Sequence, residues 1–307
     1  MRTWQRDVEL DLNFCHQIVI DQFPQFAGQT PEDWGQGWDN ICVLYGRETV
    51  FRLPTRAAGG KIIVHEIAAL PHLRTQVPLP IPDFRFVGKP TENYPYHFVG
   101  YPLLRGTTSD RMSWNAQQRV GTAVVLGEFL KSLHQVPLTP ELTSSLPTGP
   151  HGRASIDWLL DRIQFRRDAV ITSHPERKAW AGELSAFADD LSQDLLGEDQ
   201  SVVIHGDLYP RHILADQNHQ ITGIIDWGDV QIGHPSSDLS VAFTFLEKGD
   251  RDAFWKAYDL PVARACRSAA KLKAILYALS LYSYGMDIGD QPIWEIGELI
   301  GIRVMDF

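Results

Sequence analysis

Val202-Val203-Ile204-His205-Gly206-Asp207-Leu208-Tyr209-Pro210-Arg211-His212-Ile213-Leu214 is followed, after a short polar gap, by Gly223-Ile224-Ile225-Asp226-Trp227-Gly228-Asp229. Each stretch opens with an apolar, β-branched run that reads as a short strand. Each then breaks at a polar turn that presents a carboxylate, Asp207 in the first and Asp226 in the second. Loops at strand ends, held by a rigid frame, are where reactive groups commonly sit. His212, five positions beyond Asp207, is a second possible ligand on the same turn. Either triplet alone is an ordinary turn; the two in order, each after a strand, form a pattern.

Outward from this pair, the surroundings are helical. Residues 115–134, 156–170, 176–195 and 262–284 carry apolar groups at helical spacing, with a Pro/Gly/Ser-rich break at 136–152. Short β segments are expected at 201–204, 212–215 and 221–225. The first hundred residues differ. A helix is expected over 7–23, then a hairpin of Ile41–Tyr45 and Thr49–Leu53 about Gly46-Arg47-Glu48. Residues 61–73 read as a helix ending near Pro71. The prolines of 77–82 impose extended chain, because X-Pro steps disfavour helix. Strands are expected at 84–87 and 96–101. This is an α+β arrangement with a boundary near Tyr101–Leu104: residues 1–102 as a small β-rich lobe, 103–307 as a larger helical one.

The chain has 307 residues, 44% of them hydrophobic, enough apolar material for a large core. Lys and Arg total 28 against 38 Asp and Glu, a net charge of −10. Such a surface repels a phosphate backbone, so nucleic acid is not an expected partner, whereas a cationic small molecule is easier to host. Cys15, Cys42 and Cys266 are odd in number and widely spaced, which fits free thiols in a reducing compartment. The N-terminus places charges at Arg2, Arg6 and Asp7 and has no apolar signal-peptide core. No apolar run approaches the roughly 20 residues that span a bilayer. A cytoplasmic protein without a membrane partner is expected. His16, His65, His72, His134 and His151 show no metal spacing and read as surface or core residues.

Phosphoryl transfer needs a carboxylate to hold the attacking hydroxyl and further ligands to hold Mg²⁺ against phosphates. The order His-x-Asp-x-x-x-x-ligand followed by Asp-x-Gly matches the protein-kinase pattern. His205–Leu214 and Gly223–Leu239 resemble the aminoglycoside and macrolide phosphotransferases and their choline-kinase-like relatives. The H-G-D-L-x-x-x-H form is closest to macrolide phosphotransferases and aminoglycoside 2''-phosphotransferases. The resemblance implies a bilobal protein-kinase-like fold, ATP or GTP in the cleft, and a small-molecule hydroxyl as acceptor.

Residue by residue, it implies that Asp207 is the catalytic carboxylate and Asp226 the principal Mg²⁺ ligand. His212 stands where many relatives have an asparagine ligand, and imidazole is a less natural partner for Mg²⁺ than oxygen. Arg52 stands in place of the phosphate-pairing lysine, with Glu66 as its helix partner; arginine grips phosphate bidentately. Val99, Tyr101 and Leu103 resemble the hinge that reads the nucleotide base, and Ile225, before Asp226, is a further nucleotide contact. Gly37 and Asn40, in Gly35–Asn40, read either as a loop closing over phosphates or as a plain turn. His205 is expected to brace its loop, and Asp238 to brace the same loop or cap a helix.

The acceptor pocket is expected from residues 156–170 and the C-terminal helices. Ala274–Met286 is apolar and aromatic, with acids only at Asp287, Asp290, Glu295 and Glu298. Apolar walls with few carboxylates suit a macrolide sugar better than an aminoglycoside with several ammonium groups. An aminoglycoside kinase, a metabolite kinase acting on an amino alcohol or sugar, and a non-catalytic nucleotide-binding protein remain as alternatives. Oligomeric state is not legible in the chain.

Overall fold

The computed structural model describes residues 6–37, 39–149, 152–192 and 200–306. Trp38, His151 and the end of the helix expected over 176–195 lie outside the described residues. In chain order the first part contains α1 (Leu12–Gln22), β1 (Pro31–Gln36), β2 (Asn40–Tyr45), β3 (Thr49–Pro54), α2 (Ala57–Leu73), β4 (Phe86–Gly88) and β5 (Phe98–Pro102). The strands form one antiparallel sheet in the order β1-β2-β3-β5-β4.

Helix α1 begins at Leu12, five residues later than the spacing of 7–23 suggests. Asp11 caps it by accepting from the Phe14 N–H at 2.7 Å. The N–H groups of Asp7 and Val8 meanwhile donate to the Thr55 carbonyl, so this segment is tied to the end of β3. Helix α2 begins four residues before its expected start, and Pro71 is accommodated in its last turn. Strand β1 was not foreseen: it takes in Gly35 and Gln36 of the glycine-rich stretch and pairs antiparallel with β2, with a bulge between Asp33 and Gly35. Under the sheet, aromatic rings meet edge to face, as Phe26 and Phe51 do at 5.0 Å.

The second part contains β6 (Thr107–Thr108), α3 (Ala116–His134), α4 (Pro140–Ser145), α5 (Gly152–Ser173), α6 (Lys178–Ser192), β7 (Val202–Ile204), β8 (Ile213–Ala215), β9 (Ile221–Ile224) and β10 (Gln231–Gly233). It ends with α7 (Ser236–Leu239), α8 (Val241–Thr244), α9 (Arg251–Tyr258), α10 (Arg264–Ile288) and α11 (Gln291–Met305). The three β segments expected here stand as β7, β8 and β9. The break expected at 136–152 holds the short α4, which a Thr139 side chain caps. Asn115 and Gln118 start α3 with a reciprocal capping box, each bond 2.9 Å.

Two apolar clusters result. One lies beneath the five-stranded sheet, and the larger fills the helical part around the fully buried Trp227. Ala69, Leu70 and Leu73 of α2 belong to the larger cluster. Helix α2 therefore leans on the helical part while its strand neighbours do not, and this brings Glu66 toward the Asp226–Asp229 loop.

Helices α3 and α9 approach closely at Gly127. A β-carbon there would stand 2.7 Å from the Phe254 carbonyl and 2.8 Å from the Ala257 β-carbon. Helix propensity alone would favour alanine by about 1 kcal/mol. The close approach reverses that sign, so Gly127→Ala is expected to lower unfolding free energy by about 1–3 kcal/mol. Urea denaturation measures it; a stabilised variant would refute the packing argument.

Candidate active site

Strand β7 delivers the 205–207 turn and strand β9 delivers Asp226. Gly206 adopts φ 86°, and a β-carbon on it would sit 2.3 Å from the Asp229 carbonyl. Only glycine fits there, which is why the triplet has one at its centre. Asp226 is itself left-handed, at φ 61°, a conformation short polar residues tolerate and functional turns often retain.

The imidazole of His212 joins the two carboxylates. Its Nδ1 lies 2.7 Å from the Asp207 main-chain oxygen and 3.6 Å from Asp207 Oδ2. Its Nε2 lies 3.3 Å from Asp226 Oδ2. With one ring nitrogen at a carbonyl and the other at a carboxylate, a single imidazole proton can satisfy only one of these two contacts. The contact left without it is completed by a second proton or by a metal ion. The Asp226 side chain is 56% exposed, so the position opens to the cleft. Among the described residues no group of three or more His, Cys, Asp or Glu converges to hold a metal. A donor set of this size suits a cation that keeps waters and takes phosphate oxygens, the habit of Mg²⁺.

Asp207 has a partner that the sequence did not disclose. The Tyr277 hydroxyl, from α10, donates to Asp207 Oδ1 at 2.7 Å. Tyr277 stacks on Tyr209, centroids 5.0 Å apart, and Lys273 Nζ stands 4.9 Å from the Tyr277 ring centroid. Desolvation and the Asp207 charge push the Asp229 carboxyl up to about 6, while the Lys273 ammonium pulls it back. Tyr277 is seventy residues from Asp207, and no local motif marks it.

His205 braces the turn, as expected. It is fully buried, its Nε2 lies 3.0 Å from the Ile225 carbonyl, and its Nδ1 accepts from the Asp207 N–H at 3.3 Å. Burial holds its pKa below the ordinary value, so it stays neutral. Asp238 is also fully buried. It accepts from the N–H groups of His205 and Gly206, both at 2.8 Å, and meets His134 Nε2 at 3.2 Å. His134 is thus part of this loop's support and not a scattered core histidine. Its other nitrogen meets the Tyr258 hydroxyl at 2.8 Å.

In the β-rich part, Arg52 and Glu66 form a buried ion pair, Nη2 to Oε2 2.5 Å, with residue exposures of 7% and 1%. Burial disfavours the Arg52 charge, yet Glu66 outweighs it and holds the guanidinium protonated. Glu66 also neighbours Gly228: a β-carbon there would lie 3.8 Å from Glu66 Oε1 and 3.6 Å from Asp226 Oδ1. The Arg52–Glu66 pair thus neighbours the loop of Asp226, while His212 joins Asp226 to Asp207.

The remaining candidates are less open. The Gly37 N–H donates to the Asn40 carbonyl at 2.8 Å, closing the β1–β2 turn on itself. Asn40 Oδ1 is buried and has no hydrogen-bond partner among the described residues. Val99 is buried opposite Arg52 in the β3–β5 register, and Tyr101 packs its ring 5.6 Å from Phe84. The Leu103 N–H donates to the Glu48 carbonyl at 2.7 Å, so it is not free to meet a base. The Ile225 N–H donates to the His212 carbonyl at 2.9 Å, linking the two motifs.

Comparison with known proteins fits this geometry. The model of the family described as "Phosphotransferase enzyme family" matches residues 32–269, and the chain belongs to that family. An uncharacterized protein, YcbJ of Bacillus subtilis (strain 168), is 24% identical over 217 residues, 70% of this chain and 68% of that protein. The chain spans about half the length of the Streptomyces aminoglycoside 3'-phosphotransferases it matches. Among solved structures, the GDP and kanamycin complex of APH(2")-IIia aligns with TM-score 0.71 at 24% identity, covering 97% of this chain and 100% of that one. A macrolide 2'-phosphotransferase type I aligns with TM-score 0.64 at 19% identity, covering 96% and 98%. These likenesses share the fold: a mixed α+β chain with an antiparallel sheet first and a helical part after it.

Asp238 supplies the pH-dependent prediction. Burial opposes its charge, but His134 and the loop N–H donors win, so its folded pKa lies below the 3.8 of a free carboxyl. A depressed acid stabilises the fold above 3.8, and that contribution is lost as pH falls through the folded value. Asp238→Asn is therefore expected to lower Tm at pH 7, with the gap to the parent narrowing below pH 3.8. A gap independent of pH across a calorimetric series would contradict the assignment.

Proposed function

We propose that this chain transfers the γ-phosphate of ATP or GTP, with Mg²⁺, to a hydroxyl of a small-molecule antibiotic in the cytoplasm. The observation carrying the reading is the meeting of Asp207, His212 and Asp226 at one cleft, with the Arg52–Glu66 pair beside them. Nothing in the reading calls for nucleic acid or a membrane, and among the described residues no helix is long and apolar enough to cross one.

Asp207 holds the acceptor hydroxyl and takes its proton as the new oxygen–phosphorus bond forms. Its Oδ1 already accepts from Tyr277, which leaves Oδ2 as the oxygen offered to the acceptor. Asp226 and His212 Nε2 would hold Mg²⁺, which when bound neutralises phosphate charge during transfer. Arg52, fixed by Glu66, faces the phosphates. Gly37 and Asn40 cover them, and Val99, Tyr101 and Ile225 line the base pocket, without the Leu103 N–H, which Glu48 holds. Residues 1–102 then act as the nucleotide lobe and 103–307 as the catalytic and acceptor lobe.

A macrolide sugar hydroxyl is the favoured acceptor, because the helical wall beside Asp207 is aromatic and apolar. An aminoglycoside is the second reading, supported by the kanamycin complex of a structural relative.

A coupled nucleotide-consumption assay with Mg²⁺ tests the reading. ATP and GTP are supplied separately against macrolides, aminoglycosides and small amino alcohols. Acceptor-dependent turnover is expected, and Asp207→Asn is expected to lower kcat by about 10²–10⁴-fold with nucleotide binding retained. Turnover near the parent rate in that variant would remove Asp207 from its role.

A further inference from the structure

A carboxylate that takes the proton of an acceptor hydroxyl must present one oxygen in one direction, and an aspartate does not do so unaided. Its last torsion is broad and close to two-fold, so without a fixed donor it offers either oxygen. The Asp207 side chain is 29% exposed, so packing alone does not hold it. His212 does not fix it either: Nδ1 lies against the Asp207 main-chain oxygen at 2.7 Å and stands 3.6 Å from Oδ2.

The Tyr277 hydroxyl supplies that constraint by donating to Oδ1 at 2.7 Å. Tyr277 is itself held. It is 7% exposed, sits within the 25-residue helix α10, and stacks on Tyr209 with centroids 5.0 Å apart and planes inclined by 29°. Tyr209 lies just beyond Asp207 on the same turn, so one side chain of α10 grips that turn at a carboxylate and at a ring. Burial, and then the Asp207 charge, push the Tyr277 hydroxyl well above its ordinary pKa, so it stays protonated and remains a donor. Groups on a rigid helix orient a reacting side chain more closely than groups on a loop.

We propose that Tyr277 is a positioning residue for phosphoryl transfer: its hydroxyl holds Asp207 Oδ1 and so turns Oδ2 toward the acceptor hydroxyl. The inference rests on Asp207 being the acceptor-binding carboxylate of a nucleotide-dependent phosphotransferase. It goes further by assigning the orientation of that carboxylate to a side chain seventy residues away, on a helix outside both carboxylate motifs.

Tyr277→Phe removes the hydroxyl and keeps a ring on Tyr209. Turnover of Mg²⁺–ATP and of Mg²⁺–GTP by the full chain is measured with erythromycin, with kanamycin and with water as acceptor. In each reaction the parent supports, Tyr277→Phe is expected to lower kcat about 10–100-fold and to leave the nucleotide KM within about twofold. Added to Asp207→Asn, it is expected to lower the residual rate by less than about twofold, because its effect passes through that carboxylate. Tyr282→Phe is the control. It deletes another α10 hydroxyl, which accepts from Arg177 Nε at 3.1 Å, and is expected to keep the parent kcat. Parent kcat in Tyr277→Phe would overturn the proposal while leaving the phosphotransferase reading intact. So would an equal loss in Tyr282→Phe, or the full loss repeated on top of Asp207→Asn, since either marks a general loosening of α10. Phosphate on Tyr277, found by mass spectrometry after incubation with nucleotide, would make it an acceptor and overturn the proposal as well. No turnover by the parent with any of the three acceptors would take the functional reading and this inference down together.

Discussion

Asp238 is fully buried, and a carboxylate so placed must be met by hydrogen-bond donors. Two main-chain N–H groups and one histidine do so, and the N–H groups are those of His205 and Gly206. The burial of this one charge therefore fixes the turn that carries Asp207. The same turn is held from the other side by His205, which reaches the Ile225 carbonyl just before Asp226. Removing the carboxylate's charge would leave those N–H groups with a weaker acceptor, so the turn and the fold are coupled through it.

The rest of the site depends on that frame. His212 spans from the Asp207 main chain to the Asp226 side chain, so the two motifs move as one body. Arg52 and Glu66 come from a strand and a helix that are joined by two residues, yet their pairing is buried and close. A buried ion pair is weak evidence for stability, because desolvating two charges offsets much of their attraction. Its value here is positional: it keeps a guanidinium at the cleft, adjacent to the loop that holds Asp226.

Helix α10 follows a different logic, because its apolar spacing is as suitable for core as for a pocket. Tyr277 is both, since its ring packs on Tyr209 while its hydroxyl reaches Asp207. Of the acids near the C-terminus, Glu298 pairs with Arg177 and Glu295 accepts from Gln291.

Much of the fold was legible because local chemistry fixed it. The β7 and β9 strands, the extent of α3 and the β2–β3 hairpin each depend on residues adjacent in sequence. The order of the two carboxylate motifs likewise set the class of chemistry, since both halves lie within twenty-five residues. Other features were hidden. Strand β1 carries polar, exposed residues and pairs only because β2 offers an edge. The late start of α1 reflects Thr55 capturing the N–H groups of Asp7 and Val8. By itself, the sequence determined the order of the β-rich and helical parts and the two turns that carry Asp207 and Asp226. Tertiary structure decided that Arg52 and Glu66 are paired, that His134 supports Asp238, and that Tyr277 stands at Asp207. Each of these depends on contacts between distant segments, and no local spacing encodes a contact made only when packed helices and strands close on one another.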